Sequence, residues 1–262
     1  MVDLAAGHGA GSISIPNKSD WRARAARIAG DFEQRVSAIS YEAKGILFSE
    51  MLFASAILDD LKPRRIIESG RARGQSTHLL ASCFPDLPIV SIEYDASSPD
   101  VGIAAARLAP FANVELLFGD ATRMLPQMLR PGDAVFIDGP KGARALRLAL
   151  RLLATGMPVA VFVHDCPLGS FERDFLAARF GRALFGDDDE FVRSFRHLDR
   201  RCMEVDPAVL RPSAPPGTSY GPTFACLFPS ADVRYAMLRM QLVIDGNLRR
   251  WRSSARKRWA DR

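Results

Sequence analysis

The sequence predicts an α/β protein built on a doubly wound, mostly parallel sheet with helices on both faces. Short apolar runs at 65–68, 89–93, 114–118, 134–138 and 158–163 have the length and β-branched content of buried strands. Helical patterns separate or follow them, near 75–83, 99–109, 121–130, 142–154 and 170–181. Strand–helix alternation of this kind gives parallel strands, and right-handed crossovers put the helices on both faces.

Before the alternation, residues 1–19 are rich in Gly and Ser. Trp21, Ala25, Ile28, Phe32 and Val36 then recur at helical spacing over 21–40. A second helix over 46–61 carries Leu47, Met51, Leu52, Ala56 and Ile57, and Pro63 ends it. After the fifth strand, 196–204 and 223–229 are read as two final strands, for seven in all. Between them 207–222 is a Pro/Gly/Ser-rich loop, in which Arg211 and Tyr220 are candidate substrate contacts. The acidic run Asp187-Asp188-Asp189-Glu190 is expected to be a solvated loop. The chain divides into a helical extension (1–45), a main α/β domain (46–230) and a basic amphipathic helix (231–262).

Composition excludes several classes. At 262 residues and 48% apolar, the chain buries a core without cross-links. Its four cysteines are scattered and form no CxxC pair, which argues against a zinc site or disulfide framework. With no apolar leader and no run near the length of a membrane span, a reducing cytoplasm is the expected setting. The net charge of +5 is local: residues 246–262 hold seven Arg and Lys against Asp261, so the remainder carries −1 and nucleic acid is not an expected partner. The last segment suits an anionic membrane surface, a partner subunit such as a second copy, or solvent.

The first strand and its turn read RRIIESGRARGQSTHLL. Ligands in open α/β sheets lie beyond the carboxyl ends of the strands, where strand order reverses. Gly70 and Gly74 let the backbone approach a ligand, and Ser76 with the following helix N-terminus offers donors. The P-loop pattern is absent, and the GxxxG spacing suits a dinucleotide poorly. Three more acids end successive strands: Glu93 in SIEYD, Asp120 in FGDAT and Asp138 in FIDGPKG. A carboxylate at Glu93 suits a vicinal diol, and Asp120 also has the position of a helix cap.

On Glu68-Ser69-Gly70, Gly74, Ser76-Thr77 and these acids, residues 45–170 resemble class I S-adenosylmethionine-dependent methyltransferases, closest to the macrocin-type and cephamycin-type O-methyltransferases. The resemblance implies a Rossmann-like fold. It also implies a cofactor site with Glu68, Gly70, Gly74 and Ser76 at the amino-acid end, Glu93 on the ribose, Asp120 near the adenine, and Asp138 at the fourth strand tip. Asp138-x-x-Lys141 together with Asp165 also resembles the catechol-type and caffeoyl-type enzymes. There the pattern implies Mg2+ held by Asp138 and Asp165, with Lys141 beside the acceptor hydroxyl. Cys166 departs from the Asn of those enzymes, and a thiol is a poor ligand for a hard cation. Without metal, His164 or His197 becomes the candidate base. The implied reaction is methyl transfer to a small-molecule acceptor, a hydroxyl of a sugar or natural product. A non-catalytic Rossmann-like protein and an NAD(P)-dependent oxidoreductase stay open beside it.

Overall fold

The computed structural model describes residues 18–42, 45–205 and 224–260. Arg211 and Tyr220 lie outside them. Two helices, α1 (Lys18–Val36) and α2 (Phe48–Leu61), precede the sheet. Strands β1 (Arg65–Ser69), β2 (Ile89–Glu93), β3 (Val114–Phe118), β4 (Asp133–Ile137) and β5 (Ala160–Val163) then alternate with α3 (Gln75–Cys83), α4 (Asp100–Leu108), α5 (Ala121–Met128) and α6 (Ala143–Leu153). After β5 come α7 (Phe171–Arg179), β6 (Leu184–Phe185), α8 (Asp189–Phe195), a 3-10 turn (Arg196–Asp199), α9 (Arg200–Val205), β7 (Ala225–Leu227) and α10 (Tyr235–Ala260).

The seven strands form one sheet in the order β3-β2-β1-β4-β5-β7-β6. The first five are mutually parallel, and β7 runs antiparallel to both β5 and β6. The chain winds outward from β1 to β3 and then returns to β4, so strand order reverses between β1 and β4. Ser69 pairs with Ile137 across that point, and Gly70 and Asp138 therefore emerge side by side. A crevice at this place is the general ligand site of such sheets.

Side chains alternate across the strands and split the core in two. Ile66, Phe136 and Phe162 face α1, α2 and α3, where Trp21 and Phe53 pack with them and Phe191 of α8 joins. Ile67, Val135 and Val161 face the other way, against Leu146 and Leu150 of α6, Leu176 of α7 and Leu242 of α10. The helix containing Trp21 thus contributes to the same core as the sheet.

Two expectations are corrected. Residues 196–204 are helical: Leu198 and Cys202, four apart, are the buried apolar residues of a turn followed by α9. The remaining strand is instead the two-residue β6. The run 114–118 is a strand, but it forms the sheet edge and is only partly buried. Among the described residues no helix is long and apolar enough to cross a membrane.

Candidate active site

A cavity of about 250 Å³ opens at the carboxyl ends of β1 and β4. Its wall includes Glu68, Gly70, Ser76, Asp138 and His164, which the sequence singled out. It also includes Glu42, Arg71, Arg73, Gln75, Asp100, Phe136 and Phe224, which it did not.

Glu68 ends β1 fully buried. Ser91 Oγ of β2 donates to its Oε2 at 2.6 Å, and Thr77 Oγ1 of α3 donates to the same oxygen. Burial pushes the carboxyl up from its ordinary value and outweighs the hydroxyl donors Ser76, Ser91 and Thr77. Gly70 follows at φ +87°. A Cβ there would stand 2.5 Å from Gly139 N and 2.8 Å from the carbonyl carbon of Asp138. The close approach that requires this glycine is therefore that of the β4 turn, in addition to whatever enters the cavity. Gly74 caps α3 in the left-handed region, φ +76°.

Glu93 ends β2 and folds back on the first turn. Ala72 N–H donates to its Oε2 at 2.7 Å, and Tyr94 N–H to its Oε1 at 2.8 Å. Asp120 caps α5, accepting from Thr122 N and Oγ1 at 2.8 and 2.6 Å; the Thr122 hydroxyl and amide hold it below its ordinary value. Neither Glu93 nor Asp120 lines the cavity.

The tips of β4 and β5 gather a charged cluster. Lys141 Nζ donates to Asp138 Oδ1 and lies 2.7 Å from Asp165 Oδ2. His164 Nδ1 lies 2.8 Å from Asp138 Oδ1 and 3.2 Å from Asp165 Oδ1. Its Nε2 lies 3.4 Å from Glu50 Oε2. These are ion-pair approaches; neither ring nitrogen is aligned for a hydrogen bond. Burial alone would lower the imidazole pKa, but the carboxylates of Asp138 and Glu50 outweigh it and raise it well above 6.5. Lys141 is raised in the same way: burial opposes, and Asp138 and Asp165 win. Asp138 and Asp165 are depressed despite burial, by His164 and Lys141. The surrounding carboxylates thus favour the protonated forms of both His164 and Lys141. The other candidate base, His197, lies on the surface and pairs with Glu33 at 3.2 Å.

Glu50 belongs to this cluster and was missed. It is the one charged residue in the wholly buried span of α2 from Phe48 to Leu58. A carboxylate in such a run is a signal in itself, because an unpaired buried charge is costly. Its Oε2 accepts from Leu47 N–H at 3.1 Å, closing the first turn of α2, and burial raises its pKa despite His164. Gln75 was also missed. Its side chain accepts from Glu42 N–H and donates to Ile46 O at 3.2 Å, tying the segment before α2 to the cavity. The acidic run is more than a solvated loop: Asp187 is buried against Arg173 at 2.8 Å, and Asp188 caps α8.

The fold is thus Rossmann-like, with its crevice at the switch point. No protein-family profile and no curated protein matches the sequence. Solved structures that resemble it include a Streptomyces achromogenes O-methyltransferase involved in tomaymycin synthesis, in complex with SAM (S-adenosylmethionine). It is 21% identical, with a TM-score of 0.43, over 84% of this chain and 93% of that one. A Bacillus cereus O-methyltransferase in complex with SAH (S-adenosylhomocysteine) is 18% identical, with a TM-score of 0.40, over 82% and 93%. A SAH-bound methyltransferase from Podospora anserina is 16% identical, with a TM-score of 0.39, over 82% and 98%.

Proposed function

We propose that this chain binds S-adenosylmethionine across the carboxyl ends of β1 and β4 and transfers its methyl group to a hydroxyl of a small molecule, a sugar or natural product. The observation that carries this is the shared cavity wall, on which Glu68, Gly70 and Ser76 of the first βα unit meet Asp138 and His164 of the next strands. The cofactor supplies an electrophilic methyl on a sulfonium and carries net positive charge. The wall offers four acids, Glu42, Glu68, Asp100 and Asp138, against Arg71, Arg73 and His164, a balance that suits such a ligand. Glu93 keeps lone pairs beyond its two backbone bonds and is assigned to the ribose hydroxyls. Asp120 is assigned to the adenine edge.

The acceptor hydroxyl is assigned to the cluster around Asp138 and Asp165. Lys141 and His164 each lie against both carboxylates, and so hold and orient them. The hydroxyl would donate to a carboxylate oxygen, its proton passing to that oxygen late, as the new O–C bond forms and the methyl's bond to sulfur breaks, the electron pair staying on the departing thioether. A depressed carboxylate is a weak base, so alignment of oxygen, carbon and sulfur does more than proton removal; well-oriented reactions gain up to roughly 10⁵ M or more in effective concentration.

The residues present do not suit Mg2+. Asp138, His164 and Asp165 place one ligand atom each within 4.8 Å of one another. Hard cations want an oxygen shell, and here the third donor is a nitrogen. Both carboxylates are engaged by Lys141 and His164. Cys166 adds nothing, since burial pushes its thiol up to about 12. No step is therefore assigned to a metal.

Calorimetry with S-adenosylmethionine is the test. The intact protein should bind, and Glu93→Ala should abolish the heat. No binding by the intact protein would sink the proposal. A thermal shift with NAD(P)H and none with S-adenosylhomocysteine would make the crevice a dinucleotide site.

A further inference from the structure

Helix α10 has two apolar faces. On the inner one, Tyr235, Leu238 and Leu242 are buried against α6 and α7, and the Arg249 guanidinium lies over the Phe171 ring, 5.6 Å from its centroid. On the outer one, Met237, Met240, Ile244, Leu248 and Trp251 are exposed, Met240 at 60% and Trp251 at 67%. At about 100° per residue these five fall within an arc of roughly 80° opposite the buried set, along about 21 Å of helix. A helix on a protein surface turns polar residues outward. The acid of this stretch, Asp245, is turned aside to Arg179 at 3.3 Å.

The charge around this stripe is mostly positive, the acids near it being Asp245 and, on α7, Glu172 and Asp174. On the same side of the sheet, α5 and α6 expose Arg123, Arg144, Arg147 and Arg151, and neither helix contains an acid. The sequence of α10 runs on through Arg252, Arg256, Lys257 and Arg258. An uncharged stripe containing tryptophan and bordered by arginines is the composition of a helix lying in the headgroup region of an anionic bilayer.

We propose that the outer face of α10 docks on an anionic phospholipid surface, with the arginines of α5 and α6 against the headgroups. A second copy of the chain is a poorer occupant, because pairing two such faces would bring arginine-rich surfaces together. The proposal stands apart from the methyl-transfer assignment.

The test is sedimentation of the full chain with phosphatidylcholine vesicles, with and without one-third phosphatidylglycerol. The protein is expected to sediment with the anionic vesicles and not the neutral ones, with Trp251 emission shifting to the blue. High salt should weaken the association, because it screens the headgroup charge. The double variant Ile244→Asp, Leu248→Asp should lower partitioning by roughly tenfold or more. Both side chains are exposed, so melting temperature and cofactor binding should stay as in the parent. Three results would overturn the proposal: no sedimentation with anionic vesicles, sedimentation unchanged in the double variant, or a dimer by ultracentrifugation that the double variant dissociates.

Discussion

Replacing Gly70 by alanine tests how the two halves of the cavity are joined. Gly70 sits at φ +87°, in the left-handed region. Holding an alanine there costs about 1–2 kcal/mol. The added Cβ would also stand 2.5 Å from Gly139 N and 2.8 Å from the Asp138 carbonyl carbon. Both neighbours are backbone, so the turn after β4 must move by more than half an ångström, and overpacking of this kind costs about 1–3 kcal/mol. The two terms together give about 2–5 kcal/mol, or a fall in Tm of roughly 5–15 °C for a chain of this size. Gly30→Ala is the matched control. Gly30 lies inside α1 with nothing within 4 Å of an added Cβ. There alanine should stabilise by about 0.5–1 kcal/mol. Scanning calorimetry on both variants reads the contrast. Where Gly70→Ala folds, its displaced Asp138 should also weaken cofactor binding. A Gly70→Ala protein melting within a degree or so of the parent would refute the contact argument.

Other outcomes follow from the same geometry. Asp133 is buried and receives Arg65 Nε and Nη2 at 3.1 and 2.6 Å, so Asp133→Ala leaves a partly buried guanidinium with only Met128 O and should cost about 2–4 kcal/mol by urea unfolding. His164 is raised in the folded state, so its stabilisation is complete below about 6.5 and is lost as pH rises through the raised value. The stability gap between the parent and His164→Gln should therefore be widest at mildly acidic pH and close on the alkaline side; a gap that grows with pH contradicts the ion-pair assignment. Asp138 and Asp165 have the opposite sign: their contribution is present above 3.8 and lost as pH falls through their depressed folded values. Methyl transfer should persist in EDTA, and activity that disappears on chelation and returns with Mg2+ would restore a metal to Asp138 and Asp165.

Much of the fold was legible because its signals are local. The helix 75–83 and the strand 89–93 match α3 and β2 end to end, since each apolar run is bounded by turn residues. Elements without such a signal were misread. Strand β6 has two residues, too few to show a period of two, and its place in the sheet is set by pairing with β7. Residues 196–204 hold their apolar positions four apart, a helical interval that a short window does not separate from a strand. In the site, acids at strand tips could be anticipated because topology puts every tip on one edge. Which of them meet could not. Asp138 and Asp165 converge on Lys141 and His164, while Asp120 turns to its own helix. Glu50 arrives from α2, before the sheet begins, and its partner His164 lies more than a hundred residues further on.

Four aromatic rings link the first helix to the cavity. Phe136, on the cavity wall, stacks on Phe162 with centroids 4.4 Å apart. Phe162 meets Phe53 edge-on, and Phe53 meets Trp21 in the same way at 5.0 Å. Rings in edge contact inside a packed core do not shift independently. Trp21 is therefore an optical probe wired to the binding site from its far side. With Trp251 and Trp259 changed to phenylalanine, the emission of Trp21 should respond when the cavity fills, although the indole touches nothing that enters it.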